Sequence, residues 1–510
     1  MTTSVTHLWR LLKWGRTLAR HGALQGIERD PLTPTAVRQL LRLARFGLRQ
    51  PAEPDYAAAL QAIGPAAIKL GQALATRPDL VGEAAAKNLI QLQDSLPPVA
   101  FSEIRKAIEK GLDAPLESLF QSIDEVPVGA ASIAQVHKAV TTEGRTVAVK
   151  VLRPGIEEEF ARALETYEWA AAHVELLGGE AERLRPRLVV AHFKQWTRRE
   201  LDLQREAASA SELRETMVAE PGFYVPEIDW SRTARRVMTL EWIDGIKLAR
   251  RDELIAAGHD PKALATILIR AFLRQAVVDG FFHADLHQGN LFALPDGRLA
   301  AIDFGIMGRI DRRARMWLAE ILYGLITGNY QRVAEIHFEA QYVPAHHNVA
   351  EFATALRAVG EPIRGLPVKQ ISVGRMLEGL FAITRDFDMP TQPHLLLLQK
   401  TMVMEEGVAT ALDPDINMWE AAEPFLREWL RGELGPEAFA ADSIVDLVRT
   451  AKLIPELIKR LDVLLPAKGA APPLPPLVEV AVITRPPLLG YAVVAILAAV
   501  GGAAAVLLLS

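Results

Sequence analysis

Cysteine is absent from this chain of 510 residues. Its absence excludes disulfide bonds, thiolate zinc sites and cysteine nucleophiles. An excess of one charge is also lacking, since 57 Lys and Arg residues nearly balance 62 Asp and Glu residues. The formal net charge of −5 therefore gives no indication of nucleic acid as a partner. The 12 histidines show no metal-ligand spacing, and we expect His346 and His347 to lie in a loop.

Long hydrophobic runs are scarce too, and the clearest one lies at the C-terminal end. Residues 487–509 carry no charge and match the roughly 20 residues that a membrane-spanning helix needs. We predict a transmembrane helix there, with a buried core helix as the alternative. Residues 466–486, rich in Pro and Ala, are the predicted linker before it. Basic residues on its N-terminal side, among them Lys459 and Arg460, predict that the preceding chain lies on the cytoplasmic side.

Glycine is scarce in a short loop that precedes two apolar strands. The loop at residues 127–132 precedes two apolar strands, which is the order of a kinase N-terminal lobe. It contains a single glycine, so the G-x-G-x-x-G pattern is missing and the phosphates would not be held in the usual kinase way. The predicted nucleotide-binding residues of this loop are Gly129, Ala130, Ala131 and Ser132.

A lysine lies within the second of these strands. In a kinase, such a lysine contacts the α- and β-phosphates of ATP and pairs with a helix glutamate. Lys150 fits this role, and we predict Glu206 as its partner. The flanking residues Val149 and Val151 are expected to place the ammonium beside an apolar wall, where it needs a counter-charge. Residues 188–218 are predicted to be helical, with Asp202 and Glu206 on one face.

The densest group of functional residue types lies between residues 281 and 305. Asp285 follows a His-x pair, Asn290 lies five residues later, and Asp303 begins an Asp-Phe-Gly. The turn at residues 295–297 separates two apolar runs and predicts a hairpin. The hairpin would bring Asn290 and Asp303 to adjacent strand ends, where both could bind one Mg²⁺. Protein kinases use the same parts, with the first Asp positioning or deprotonating the acceptor.

An activation segment is missing after this group. No Ala-Pro-Glu follows Gly305, so a platform for a peptide substrate is not evident, and residues 314–465 are predicted to be helical with a turn near Asp413. Upstream, residues 236–245 are predicted to form a strand that enters a turn. Backbone groups from Glu241 to Ile243 would there hydrogen-bond adenine.

Two further helices are predicted near the start of the chain. Lys69 and Gln72 share one helix face, and Gly71 between them permits close backbone approach. We expect this face to cover the nucleotide site, with Glu200 and Asp202 as counter-charges and with Lys69 touching a carboxylate or a phosphate. The second helix, within residues 1–25, is basic and amphipathic. It would either rest on an anionic membrane surface or dock on the adjoining domain.

Together these motifs resemble the UbiB family of atypical kinase-like proteins, over roughly residues 55–420. The most specific match is the Lys-x-Gly-Gln motif at Lys69, joined by Glu200-x-Asp202 and by His283-x-Asp285 with Asn290. The resemblance implies a fold in which the Lys69 helix covers the site where a peptide would enter. It also implies binding of ATP and Mg²⁺, ATPase or small-molecule kinase activity, and support of ubiquinone biosynthesis at a membrane. The implied partners are ATP, membrane lipid, prenylated quinone precursors and other ubiquinone-biosynthesis proteins.

We therefore predict an α+β fold, bilobal and protein-kinase-like, with Mg²⁺–ATP between the lobes and the body on the cytoplasmic side of a bacterial inner membrane. Two alternatives are a small-molecule phosphotransferase resembling the aminoglycoside kinases and a non-catalytic nucleotide-sensing scaffold. The predicted segments are a basic N-terminal segment (1–54), a helical extension (55–126), an N-lobe (127–245), a mostly helical C-lobe (246–465), the linker (466–486) and the transmembrane helix (487–509).

Overall fold

A computed structural model of the chain describes two compact units, each with its own core. The first comprises the described residues up to Ser211 together with Pro226–Trp242, and the second comprises Glu212–Val225 and the described residues from Ile243. The described residues are 4–29, 35–49, 51, 53–75, 88–89, 96–175, 186–364, 383–384, 386–389, 393–416 and 418–433. The predicted linker and transmembrane helix lie outside these ranges. Within them, no helix is long and apolar enough to cross a membrane.

Helices dominate the described chain, and the strands are short. The helices are α1 (Ser4–Arg20), α2 (Gln25–Arg29), α3 (Thr35–Arg45), α4 (Tyr56–Ile63), α5 (Pro65–Ala75), α6 (Phe101–Leu112), α7 (Leu116–Leu119), α8 (Ile156–Glu175), α9 (Pro186–Glu200), α10 (Leu203–Thr216), α11 (Arg251–Ala256), α12 (Pro261–Leu273), α13 (Arg312–Thr327), α14 (Tyr330–Glu339), α15 (Val349–Arg364), α16 (Pro393–Leu412) and α17 (Met418–Glu433). The strands are β1 (Phe120–Ile123), β2 (Gly129–Ala130), β3 (Ala134–Thr141), β4 (Thr146–Leu152), β5 (Phe223–Tyr224), β6 (Val237–Glu241), β7 (Ile246–Lys247), β8 (Phe281–His283), β9 (Leu291–Ala293), β10 (Leu299–Ala301) and β11 (Met307–Arg309).

An antiparallel sheet forms the centre of the first unit. Its strand order is β1-β3-β4-β6, and β2 also pairs with β3. Valines at every second position of β4 point to one face, since successive strand residues face opposite sides. There they pack on α6 through Ile104 and Ile108, which are fully buried. The predicted order of small-residue loop, strand, turn and Lys-bearing strand is confirmed.

The N-terminal helix α1 docks on the first unit, as one of the two alternatives for it stated. Its buried residues include Leu11 and Leu18, which are 0% and 2% exposed. His7 Nδ1 lies 3.1 Å from Thr166 Oγ1 on α8. The ring of Trp14 packs on that of Tyr167 with centroids 5.3 Å apart. The apolar face of α1 is therefore used for packing within the protein.

Short strands and a helical core make up the second unit. Strands β5, β10, β9 and β7 form one sheet, and β8 pairs with β11. Helices α13, α14 and α15 meet around Tyr330, Val333, Phe352 and Leu356, all nearly inaccessible. Helix α12 continues beyond Leu273 into a π-helical turn, Arg274–Asp279. Helices fill most of the described chain after residue 311, with the predicted turn after α16.

The docking of α1 can be tested with two adjacent leucines. Leu11 is fully buried whereas Leu12 is 48% exposed. We expect Leu11→Ala to lower the free energy of unfolding by about 2–4 kcal/mol, because it leaves a cavity. Leu12→Ala, the matched control, should change it by less than about 0.5 kcal/mol. Chemical denaturation measures both, and equally small losses would mean that α1 does not dock.

Candidate functional site

The first unit contains the predicted ion pair of Lys150 and Glu206. Lys150 Nζ lies 2.6 Å from Glu206 Oε1, and the two side chains are 14% and 7% exposed. The predicted apolar wall is wrong. Val149 and Val151 belong to the core on the opposite face of β4, because side chains alternate along a strand. The ammonium is therefore held by the carboxylate of α10.

A helix break sets the positions of the acidic residues. Helix α9 ends at Glu200 and α10 begins at Leu203, so the predicted single helix is wrong at this point. Asp202 lies in the break, where its Oδ1 accepts from the Arg205 N–H at 3.3 Å. It thereby caps α10, which its short side chain favours over a helical position. Asp202 is therefore the cap of α10 and not a helical residue as predicted.

Lys69 of the Lys-x-Gly-Gln motif reaches one of the predicted counter-charges. Its Nζ lies 3.3 Å from Glu200 Oε1, with side chains only 10% and 7% exposed. The ammonium also lies 6.0 Å from the ring centroid of Trp196. The predicted contact with a carboxylate is thus present, and Lys69 is not in open solvent. Gln72 lies one turn further along α5 and is half-buried.

The predicted nucleotide-binding loop is a tight connection between β2 and β3. The Ala131 N–H donates to the Ala134 carbonyl at 2.8 Å, so this amide is engaged within the loop. Arg153 Nε donates to the Ala131 carbonyl at 2.8 Å and fixes the loop to the end of β4. Gly129 is exposed, Ala130 is half-buried and Ser132 is buried. A role of these residues in binding phosphate stays a prediction.

Two amides of the predicted adenine-binding segment are already hydrogen-bonded. The Glu241 N–H donates to the Glu227 carbonyl at 2.8 Å, and the Trp242 N–H donates to the Thr146 carbonyl at 3.2 Å. Ile243, the first residue of the second unit in this segment, is half-buried. Adenine binding by Glu241 and Ile243 stays a prediction.

In the second unit, His283 connects the predicted catalytic loop, residues 283–291, to the Asp-Phe-Gly that begins at Asp303. Asp285 donates its backbone N–H to His283 Nδ1 at 3.1 Å. Because Nδ1 accepts this bond, Nε2 carries the ring proton and donates it to the carbonyl of Asp303. Gln275 Oε1, on the π-helical turn, accepts from the His283 N–H at 3.0 Å. The backbone of Asp285 and that of Asp303 are therefore fixed by one buried imidazole.

The predicted hairpin between the two metal-binding candidates is confirmed. Strands β9 and β10 pair antiparallel, and the turn residue Gly297 has a φ of +85°. The Ile302 N–H donates to the Asn290 carbonyl at 3.1 Å, so Asn290 and Asp303 lie at adjacent strand ends. Asn290 Nδ2 points to the Asp285 carbonyl at 3.5 Å, which leaves its Oδ1 as an oxygen donor. An amide oxygen and a carboxylate are a donor set that fits Mg²⁺.

Two side chains near Asp285 had no signal in the sequence. Lys400, on α16, places Nζ 3.1 Å from Asp285 Oδ1. Gln275, described above, is fully buried. Lys400 reaches the loop through the packing of a distant helix, since 115 residues separate it from Asp285. Gln275 comes from the helical turn just before β8, 8 residues before His283.

The structure brings three potential metal ligands together elsewhere, contrary to the expectation from histidine spacing. Nε2 atoms of His346 and His347 lie 3.8 and 3.3 Å from Asp388 Oδ2. His346 and Asp388 are 66% and 70% exposed, and the shorter distance is that of an ordinary hydrogen bond. We therefore assign no role to this surface cluster.

Comparison with known proteins supports the kinase-like interpretation of this chain. Two family descriptions match, the ABC1 atypical kinase-like domain over residues 91–337 and the UbiB helical domain over residues 356–417. Proteins named Probable protein kinase UbiB are similar to this chain. One from Marinobacter nauticus is 42% identical and covers 74% of this chain and 70% of the relative. One from Xylella fastidiosa strain M23 is 40% identical and covers 79% and 76%.

A solved structure has a similar fold. It is the complex of Rv3197 with erythromycin from Mycobacterium tuberculosis, which is 27% identical to this chain. The TM-score is 0.52, and the match covers 71% of this chain and 93% of the other. The fold and the order of its parts thus define a kinase-like protein that lacks the usual glycine loop. The chain belongs to the UbiB family of atypical kinase-like proteins.

The burial of His283 predicts a dependence of stability on pH. Burial lowers the pKa of His283, although its hydrogen bond to the Asp303 carbonyl and the nearby carboxylates act in the opposite direction. A group with a lowered folded pKa contributes stability above its unfolded pKa of about 6.5 and loses it as pH falls through the folded pKa. The loss of unfolding free energy caused by His283→Gln should thus be largest near pH 7.5 and narrow below about pH 6.5.

Denaturation at several pH values measures this difference. His287→Gln, which removes an exposed histidine of the same loop, is the control. A His283→Gln effect that is constant from pH 7.5 to 5 would contradict a neutral, buried imidazole.

Proposed function

We propose that this protein is a UbiB-type ATP-dependent phosphoryl-transfer enzyme or ATPase that uses Mg²⁺ and supports ubiquinone biosynthesis at a membrane. The observation that carries the proposal is the arrangement of Asp285, Asn290 and Asp303 around the buried imidazole of His283. Together with the Lys150–Glu206 pair in the first unit, these are the parts that phosphoryl transfer from ATP requires.

The proposed roles follow from the chemistry of each group. Lys150 contacts the α- and β-phosphates, and Glu206 holds its ammonium in place. Asn290 and Asp303 bind Mg²⁺, which neutralises phosphate charge when it is bound. Asp285 orients the acceptor and takes its proton. Catalysis of this type is mainly positioning and electrostatic stabilisation, so fixed backbone around these groups matters more than any covalent step.

The acceptor in this proposal is water or a small hydroxyl compound rather than a protein. The family resemblance implies that the helix carrying Lys69 covers the peptide entrance, and the nearly buried Lys69–Glu200 pair holds this helix to α9. The Glu241 and Trp242 amides are engaged as described above, so nucleotide contacts would differ from those of ordinary protein kinases.

A cavity of about 550 Å³ in the first unit supports a lipid partner. It lies between α1, α5 and α8, beside the helix that carries Lys69. Aromatic residues Trp9, Trp14 and Tyr167 line it, with Arg10 and Lys13 among its charged residues. Aromatic walls with cations suit a phenolic ring that carries an ionisable or hydroxyl group, such as a prenylated quinone precursor. We propose that the chain preceding the predicted C-terminal transmembrane helix lies on the cytoplasmic side of a bacterial inner membrane.

Nucleotide turnover by the purified full-length protein tests the function. It is measured with and without a detergent-solubilised prenylphenol, and products are separated by class. Release of phosphate to water supports an ATPase, whereas a phosphorylated prenylphenol supports the small-molecule phosphotransferase. Binding of ATP without turnover would contradict the enzyme and support the nucleotide-sensing scaffold.

Replacing a metal ligand should remove Mg²⁺-dependent nucleotide binding. Asp303→Asn is expected to weaken Mg²⁺–ATP binding by at least about tenfold, because a hard cation loses a carboxylate ligand. Asp296→Asn in the same hairpin is the matched control, since Asp296 bonds to Arg298 in the exposed turn. Thermal-shift titration gives both affinities, and an Asp303→Asn affinity equal to that of the parent would contradict the assignment.

Removal of residues 487–510 should weaken attachment to membranes. The full-length chain is expected to sediment with membranes after a carbonate wash, because an uncharged apolar helix resists extraction. The shortened chain should lose this resistance and keep at most a salt-sensitive attachment through basic residues such as Arg16. Carbonate-resistant attachment of the shortened chain would show that the anchor lies elsewhere.

A further inference from the structure

We propose that Lys400 is the positioning residue of Asp285 and supplies the cation that the catalytic loop itself lacks. This inference rests on the proposed phosphoryl transfer and assigns a function in that site to the UbiB helical domain. Residues 283–291 contain neither Lys nor Arg. Lys400 lies on α16, inside the matched UbiB helical domain at residues 356–417.

The geometry places the ammonium directly on the candidate base. Lys400 Nζ lies 3.1 Å from Asp285 Oδ1, and the side chains are 29% and 28% exposed. Helix α16 is itself anchored, because Thr401 next to Lys400 is fully buried and Leu398 is 3% exposed. The ammonium is therefore presented by a packed helix, yet both groups remain open to a substrate.

Four contacts fix Asp285. Its N–H donates to His283 Nδ1 at 3.1 Å, and its carbonyl accepts from the His287 N–H at 2.9 Å and from Asn290 Nδ2 at 3.5 Å. Within the described part of the chain, Lys400 Nζ is the only hydrogen-bond partner of the Asp285 carboxylate, and it binds Oδ1. Oδ2 is thereby left to face an acceptor. The backbone bonds hold the residue, whereas Lys400 sets the orientation of the carboxylate.

The Lys400 ammonium would also affect the phosphoryl-transfer step electrostatically. In the transfer, the acceptor oxygen bonds to the γ-phosphorus and gives its proton to Asp285. The bond from the γ-phosphorus to the bridging oxygen breaks, and ADP leaves with that electron pair. A carboxylate close to phosphate oxygens repels them, and an adjacent ammonium offsets this repulsion. Lys400 should therefore act on the transfer step more than on ATP binding.

If Lys400 had only a structural role, a different result would be expected. A partly exposed ion pair contributes little to stability, so Lys400 would then be dispensable for both turnover and folding. Turnover should also not distinguish arginine from an uncharged residue at this position. The two roles are separated by comparing kcat with the KM for ATP.

The experiment measures steady-state turnover of the full-length protein with Mg²⁺–ATP. We expect Lys400→Ala to lower kcat by about 10–100-fold while the KM for ATP changes by less than about threefold. Lys400→Arg, which keeps the cation, should restore part of kcat, and Lys400→Gln should not. Lys262→Ala is the control, because it removes an exposed lysine from α12 of the same unit.

Each outcome decides the matter. A kcat of Lys400→Ala equal to or above that of an active parent would overturn the role of Lys400 and leave the proposed function standing. A parent that shows no turnover would overturn both. If alanine lowers the melting temperature, the comparison of Lys400→Arg with Lys400→Gln replaces it, and equal kcat values for those two would overturn the role.

Discussion

Two buried lysine–glutamate pairs organise the first unit, and both depend on the helix break after Glu200. An ammonium that leaves water needs a counter-charge, and removing one partner of such a pair costs roughly 3–5 kcal/mol. The break lets α9 end on the partner of Lys69 and lets α10 begin near the partner of Lys150. Lys69 on α5 is thus held by α9, and Lys150 on β4 is held by α10.

The second unit relies on a buried imidazole in a comparable way. His283 accepts one hydrogen bond and donates the other, so a single tautomer fixes two segments of backbone. Around it, a π-helical turn brings Gln275 into the core. Such turns are uncommon in helices and often occur at functional sites. The backbone of the residues proposed for catalysis is therefore held by hydrogen bonds to this buried imidazole.

Local sequence patterns predicted the hairpin and the ion pair of this site. The contacts that depend on packing between distant segments could not be predicted from the sequence. The hairpin before Asp303 was predictable because a short turn sets its own strand pairing. The pairing of Lys150 with Glu206 followed from the kinase-like order of parts. The apolar wall of Lys150 was mispredicted because neighbours in a strand face opposite ways. Lys400 could not be predicted, since only the packing of α16 brings it to Asp285.

The affinity for Mg²⁺–ATP in a double-mutant cycle tests the central claim that Glu206 acts by holding Lys150. The four proteins are the parent, Lys150→Met, Glu206→Gln and the double variant, with binding measured by calorimetry. The account predicts that each single change weakens binding and that the double variant binds no more weakly than Lys150→Met. Losses that simply add would contradict it, because the two side chains would then act independently.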